Sequence, residues 1–264
     1  MKLAAIGSNC IDYYNNIEGG RAYPGGGPVN MAVYAARLGH ESSYIGPVGN
    51  DKFGALMKAS IAERGVNTSH LHAVPGKTAI TQVKLKDGER ILGDYDEGVL
   101  ANYKLSDADI KFICKHDIVV CDLWGKVEGQ FKTLKEAGIA TAFDCATEPD
   151  AKASQTAIPY TDYLFFSADE FEIEDIKTQL KQLQAKGPKL VIAMLGESGS
   201  VCFDGNRFHA FGIVESDNVV DTMGAGDSYI AGFLTAIAEG AEIEEAMKIG
   251  ATTASETIEY FGAW

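Results

Sequence analysis

Short apolar runs alternate along this chain with longer helical patterns, and several of the runs hold no charged residue at all. Leu3–Ile6, Ser43–Val48, Asp117–Leu123, Ile139–Phe143, Tyr163–Phe166 and Leu190–Leu195 read as strands. A strand that is apolar on both faces must be covered on both faces. Between the runs lie helical segments such as Pro28–Leu38, with proline in its first turn and Gly39 at its end, and Ser106–Lys115, opened by a Ser-Asp cap. Two more, Ala225–Glu239 and Ile243–Tyr260, close the chain. This order predicts an α/β fold with a mostly parallel sheet between helical layers. A chain of 264 residues with 46% hydrophobic content can bury such a core as a single domain, 1–264.

One region departs from the rhythm. Thr78–Leu85 alternates with period two, turns at Lys86-Asp87-Gly88-Glu89 and returns through Arg90–Asp94. Together with Asp12–Tyr23, which lacks a helical period, it predicts a small β-flap over about residues 12–23 and 78–98, standing over the site as a lid.

Charge narrows the partners. Lys and Arg number 23 against 37 Asp and Glu, a net charge of −14, which argues against nucleic acid as a partner. A small anion such as ATP remains acceptable, because loop amides and Mg²⁺ offset its charge locally. The five cysteines are scattered with no Cys-x-x-Cys spacing, so reduced thiols and a cytoplasmic protein are expected. The apolar run at Met1–Ile6 is too short for a signal peptide or a spanning helix, and no membrane partner is expected. The histidines show no metal spacing with the cysteines, His70 and His72 read as surface residues, and no zinc site is assigned.

The segment with the most chemistry is Asp221-Thr222-Met223-Gly224-Ala225-Gly226-Asp227, which runs into an apolar helix. Amides near Gly224, Ala225 and Gly226 lack helical partners and, with the positive end of the helix dipole, form a cradle for an anion. Asp227 then sits beside that anion, where a carboxylate does not bind phosphate but can take the proton from an attacking hydroxyl. The competing reading is an aspartate that only stabilises its helix, by roughly 0.3–1 kcal/mol.

Other glycine-rich segments fail the familiar phosphate signatures. A dinucleotide fingerprint begun at Gly25 needs glycine where Asn30 stands, and a Walker loop ending in Gly76-Lys77-Thr78 needs one where Leu71 stands. Gly25-Gly26-Gly27 instead lets a hydroxyl-rich ligand approach the backbone, with Asn30 supplying donor and acceptor. Asn9 and Asp12 serve likewise or simply form the turn after the first strand. Gly196 to Gly199 follow a buried strand, where nucleotide phosphate or a plain turn fits equally. Trp124 closes a strand and either stacks on ligand or packs under a helix, and Asp94, Asp96 and Glu97 form an acidic group at the end of the flap.

Taken together these motifs resemble the ribokinase-like (pfkB) carbohydrate kinase family over essentially the whole chain. Gly25–Gly39 is similar to its N-terminal signature, Gly49-Asn50-Asp51-Lys52-Phe53-Gly54 to its second turn, and Asp221–Asp227 to its C-terminal signature. Gly93-Asp94-Tyr95-Asp96-Glu97-Gly98, Leu123-Trp124-Gly125 and Phe261-Gly262-Ala263-Trp264 are most similar to the subgroup that phosphorylates fructoselysine.

The resemblance implies a ribokinase-like three-layer α/β/α sandwich and phosphoryl transfer from ATP with Mg²⁺. It implies Asp227 as the base, Gly224 to Gly226 as the anion hole, and Asp12, Gly26, Gly27 and Asn30 as sugar contacts. Gly196, Gly199 and Ser167 would border the nucleotide. Backbone oxygens of Asp221 and Met223 would surround K⁺, and Glu170 would reach Mg²⁺ through water. Ser167 stands where the family's Asn-x-x-Glu element has asparagine, which puts that metal network in question. The expected acceptor is the 6-hydroxyl of fructoselysine or a related sugar-amine, whose ammonium Asp94, Asp96 or Glu97 could pair with. Alternatives are a simple ketohexose, a pentose or a nucleoside, and, from another class, a sugar-binding regulator without chemistry. A homodimer through the flap edge is the expected assembly.

Overall fold

A computed structural model describes residues 1–264 except 18, 87–88 and 169–171. Thirteen strands are present among the described residues: β1 (Lys2–Ile6), β2 (Cys10–Tyr14), β3 (Arg21–Gly25), β4 (Glu41–Gly49), β5 (Asn67–Val74), β6 (Ile80–Lys86), β7 (Glu89–Asp96), β8 (Ile118–Asp122), β9 (Ala140–Asp144), β10 (Tyr163–Ser167), β11 (Leu190–Met194), β12 (Ser200–Phe203) and β13 (Phe208–Phe211). The helices are α1 (Gly27–Arg37), α2 (Lys52–Glu63), α3 (Asp107–Ile113), α4 (Phe131–Glu136), α5 (Lys152–Ala157), α6 (Ile173–Gln184), α7 (Ala225–Ala238) and α8 (Ile243–Thr257).

Nine strands form one sheet in the order β13-β12-β11-β10-β9-β8-β1-β4-β5. From β11 across to β5 every pairing is parallel, while β12 and β13 return antiparallel at one edge. The apolar runs are the central strands for the reason expected. Val119, Val120 and Cys121 on β8 are wholly buried, and their side chains alternate between two apolar clusters, one under α1, α7 and α8 and one under α4 and α6. This is the three-layer α/β arrangement.

β5, β12 and β13 are the strands that periodicity does not single out. Asn67–Val74 mixes buried with half-exposed residues as an edge strand does, and the edge hairpin strands are only four residues each. Helix boundaries follow their caps. Ser106 accepts from the Asp109 amide while the Asp109 side chain accepts from Ser106, closing a capping box, and Asp51 caps α2 through the Gly54 amide.

A second sheet of four strands, in the order β3-β2-β6-β7, combines the segments around Asp12–Tyr23 and Ile80–Asp96. The turn of its hairpin at Asp87-Gly88 lies outside the described residues. Among the described residues no helix is long and apolar enough to cross a membrane, and all five cysteines are free thiols.

Candidate active site

Parallel strands place their C-terminal ends along one rim of the sheet, and the crevice there is where such folds bind ligands. Two adjacent strands end in aspartate at this rim. Asp122 and Asp144 are ladder partners at the last positions of β8 and β9, about one strand spacing apart, ~4.8 Å. A third carboxylate, Asp227, arrives in the first turn of α7. A Cβ on Gly27 would lie 2.9 Å from Asp122 Oδ2 and 3.1 Å from Asp227 Oδ1, so both carboxylates close on the face of Gly27 where a side chain would stand. Only the absence of a side chain there leaves room for both.

Two glycines make the flanking turns possible. Gly26 caps α1 at φ 107°, with its missing Cβ directed at the Asn9 backbone 2.7 Å away, and Gly224 caps α7 in the left-handed region at φ 78°. The strain is not confined to glycine. Lys126 and Ala146, which follow the ends of β8 and β9, hold φ of 60° and 49°. Such residues cost on the order of 1–3 kcal/mol and cluster at functional sites. At Ala146 the conformation turns the amide onto Asp144 Oδ1 at 2.9 Å and lets the carbonyl accept from the Ser167 amide at 2.7 Å.

Asp227 is half-buried and is held by Asn30, whose Nδ2 donates to Asp227 Oδ2 at 2.7 Å. The other end of Asn30 accepts from the indole Nε1 of Trp264 at 2.7 Å. An indole N–H only donates, so it settles which end of the amide is oxygen and obliges the NH₂ to face Asp227. The C-terminal tryptophan thereby orients the residue that orients the carboxylate. Tyr34 ties down the same segment by donating to the Ala263 carbonyl at 2.7 Å.

The three acids have different proton affinities for identifiable reasons. Burial pushes Asp227 up to about 6, and the Asn30 hydrogen bond restrains the rise. Burial pushes Asp122 up to about 7 against the 2.6 Å hydrogen bond from Ser8 Oγ, and the charge of Asp227 adds to the rise. Burial and then the charge of Asp227 push Asp144 up to about 8. All three carboxyls are therefore harder to ionise than a free acid, and a charge on Asp227 raises the other two further.

The loop before α7 differs in detail from a uniform row of outward amides. The Ala225 amide donates back to the Thr222 carbonyl at 3.2 Å and is spent within the turn, so the cradle moves onto the next amides, Gly226 and Asp227, which precede the first intrahelical bond from Ser228 to Gly224. Gly226 stands beside Met194, the last residue of β11. Gly196 and Gly199 bracket the turn after that strand, and Ser167 ends β10 on the same rim.

Several expected ligand contacts have other partners in this structure. Asn9 is 1% exposed, and its amide donates to Tyr44 Oη at 2.9 Å and the Pro47 carbonyl at 2.7 Å. It braces the end of β1 against β4 instead of facing the crevice. Asn30 is 3% exposed, with the two protein partners described. Glu97 pairs with Lys126 at 2.7 Å. The Asp221 carboxylate accepts from the Met223 and Gly262 amides at 3.1 and 2.8 Å. Asp12 lies on β2 with its Oδ2 3.7 Å from where a Gly25 Cβ would be, and Trp124 is 49% exposed beside the rim. Asp94 and Asp96 line a cavity of 500 Å³ with Asp51, Phe53, Lys77 and Tyr95. Glu170 lies outside the described residues.

Asp122, Asp144 and Ser8 are positions that motif reading passed over, and Trp264 lies in a segment that carries the resemblance without a role of its own. The available signal for the two acids was a charged residue closing an otherwise apolar strand.

Comparison with known proteins gives the family and the fold. The model of the pfkB family carbohydrate kinases matches residues 2–264. A fructoselysine 6-kinase of Shigella flexneri is 43% identical over 99% of each chain. A fructosamine kinase of Bacillus subtilis is 35% identical, covering 100% of this chain and 93% of its own length. Arabidopsis thaliana ribokinase, solved with ribose and ATP, superposes with a TM-score of 0.87 at 24% identity, over 99% of this chain and 94% of the other, which establishes the ribokinase-like fold.

Proposed function

The chain belongs to the pfkB family of carbohydrate kinases, and we propose that it moves the γ-phosphoryl group of Mg-ATP to the 6-hydroxyl of fructoselysine or a related sugar-amine. The observation that carries the reading is Asp227: a carboxylate in the first turn of α7, raised by burial to about 6, next to helix-terminal amides and held by Asn30. In the reaction the acceptor hydroxyl gives its proton to Asp227 as its oxygen bonds to the γ-phosphorus, and ADP leaves in line. The Gly226 and Asp227 amides stabilise the charge on the transferring group. Mg²⁺ bound with ATP would offset the phosphate charge, and Glu170, the residue expected to reach it through water, lies outside the described residues. Burial of Asp122 and Asp144 disfavours two further full negative charges at this rim.

The sugar-amine acceptor is supported by the 43% and 35% identities to kinases of that substrate class and by the cavity beside β7, where Asp51, Asp94 and Asp96 stand with Lys52 and Lys77. Asp94 and Asp96 there suit an ammonium group, while Glu97 is already paired with Lys126. Asp12, Gly26 and Gly27 border the sugar, with the four-stranded sheet as its lid. For K⁺ the loop offers the backbone oxygens of Asp221 and Met223, since the Asp221 carboxylate is already engaged. The reading places the protein in the cytoplasm, with the open edges β3 and β7 as the place where a second copy would pair.

ADP formation with Mg-ATP across fructoselysine, other sugar-amino-acid conjugates, fructose, ribose and adenosine tests both class and acceptor. Asp227→Asn is expected to keep ATP binding and lose turnover by on the order of 10²–10⁴. Turnover on fructose, ribose or adenosine but not on conjugates would discard the acceptor, and near-normal turnover of Asp227→Asn would discard the base.

A further inference from the structure

Away from the rim, β5 carries two histidines one residue apart, which a strand turns to the same face. Both reach one atom. His70 Nδ1 lies 2.7 Å and His72 Nε2 2.8 Å from Asp109 Oδ1, and the three ligand-type atoms are all within 4.8 Å of one another. Both histidines are partly exposed, as their spacing suggested, but each is tied to a buried carboxylate.

From this cluster we propose a binding site for a borderline divalent cation of the Zn²⁺ class, with His70 Nδ1, His72 Nε2 and Asp109 Oδ1 as ligands and solvent in the remaining position. Two imidazoles and one carboxylate are a set that suits Zn²⁺ and its late-transition neighbours, and three protein ligands leave one coordination position open. The supporting shell is in place. Asp109 is 2% exposed, and its other oxygen accepts from the Ser106 amide at 3.0 Å and the Ser106 hydroxyl at 2.7 Å, so Oδ1 is held toward the histidines. The His70 ring stacks on Phe112 with centroids 4.0 Å apart and planes 15° from parallel, which limits its rotation. His72 keeps 40% of its side chain exposed, which provides an entry path.

Bare, the cluster needs a proton on each nitrogen that faces Asp109. An ion replaces both protons with one centre. Ligand atoms on such an ion sit roughly 3.3 Å apart, so each nitrogen–oxygen separation opens by about half an ångström. The ion would pin the edge strand β5 to α3, two elements joined here only through side chains.

The test is calorimetric titration of the chelator-stripped full-length protein with Zn²⁺, without nucleotide, beside a His70→Gln/His72→Gln variant. One ion per chain is expected, with affinity falling at least about 100-fold in the variant, the upper end for loss of even an outer-shell partner. A wild-type measurement guards against a folding defect in the variant: substoichiometric paramagnetic Co²⁺ should broaden the ring resonances of His70 and His72 before those of His40, His116 and His209. Absence of saturable Zn²⁺ binding, equal affinity in a folded variant, or first broadening at the other histidines would each overturn the site. Binding at the Asp122, Asp144 and Asp227 acids would appear as the second of these outcomes.

Discussion

Replacing Asn30 with leucine tests the link between the C-terminal segment and the base. The side chains are similar in size, so the change removes the 2.7 Å donation to Asp227 and the 2.7 Å acceptance from Trp264 with little change in packing. A hydrogen bond to a charged carboxylate is worth about 1.5–3 kcal/mol, and one pKa unit is about 1.4 kcal/mol, so Asp227 should become harder to ionise by roughly one to two units. Its ordinary limb near 6 arises because burial outweighs this bond. Without it, the acid limb of kcat against pH should move to roughly 7–8. At pH 7 the variant should be impaired, and raising the pH to 9 should restore much of the loss. ADP release measured from pH 5 to 9 with saturating substrates checks this. An acid limb that stays near 6 while kcat falls equally at every pH would refute the electrostatic reasoning and leave Asn30 as a packing or substrate residue.

Trp264→Phe keeps the ring but removes the donor that fixes the Asn30 amide, so a smaller displacement of the limb in the same direction is expected in the same assay. Gly27→Ala would press a methyl between Asp122 and Asp227. It should cut kcat by about 100-fold, with a much smaller effect on circular-dichroism melting. Stability should respond to pH through the three acids, whose folded values lie above their unfolded ones near 4. The folded state then binds more protons between about pH 4 and 8, so stability is greatest at the low end and is lost as pH rises through the folded values. Asp144→Asn should flatten that decline in a melting series from pH 5 to 9, and an unchanged slope would mean Asp144 does not titrate in that window.

What local sequence determined is what depends on near neighbours. Unbroken apolar runs must be covered on both faces, so the central strands fell within a residue or two of β1, β4, β8, β9, β10 and β11. Capping chemistry is equally local, which is why Ser106, the proline at the start of α1 and the Gly224 turn marked real helix starts. Asp227 was legible because its meaning comes from the glycine loop beside it.

The edge strands β5 and β13 were obscure because an edge is half-wet and imposes no strict period, and the buried β12 because four residues are too few to show one. Register decided the rest. Pairing β8 with β9 sets Asp122 beside Asp144, positions 22 apart that no spacing rule connects, and burial then raises both. Folding also brings Trp264 to Asn30 and both to Asp227, and turns Asn9 inward to brace β4. Proton affinities and hydrogen-bond orientation depend on desolvation and on distances across the fold. A linear chain carries the groups, but only the tertiary structure sets what surrounds them.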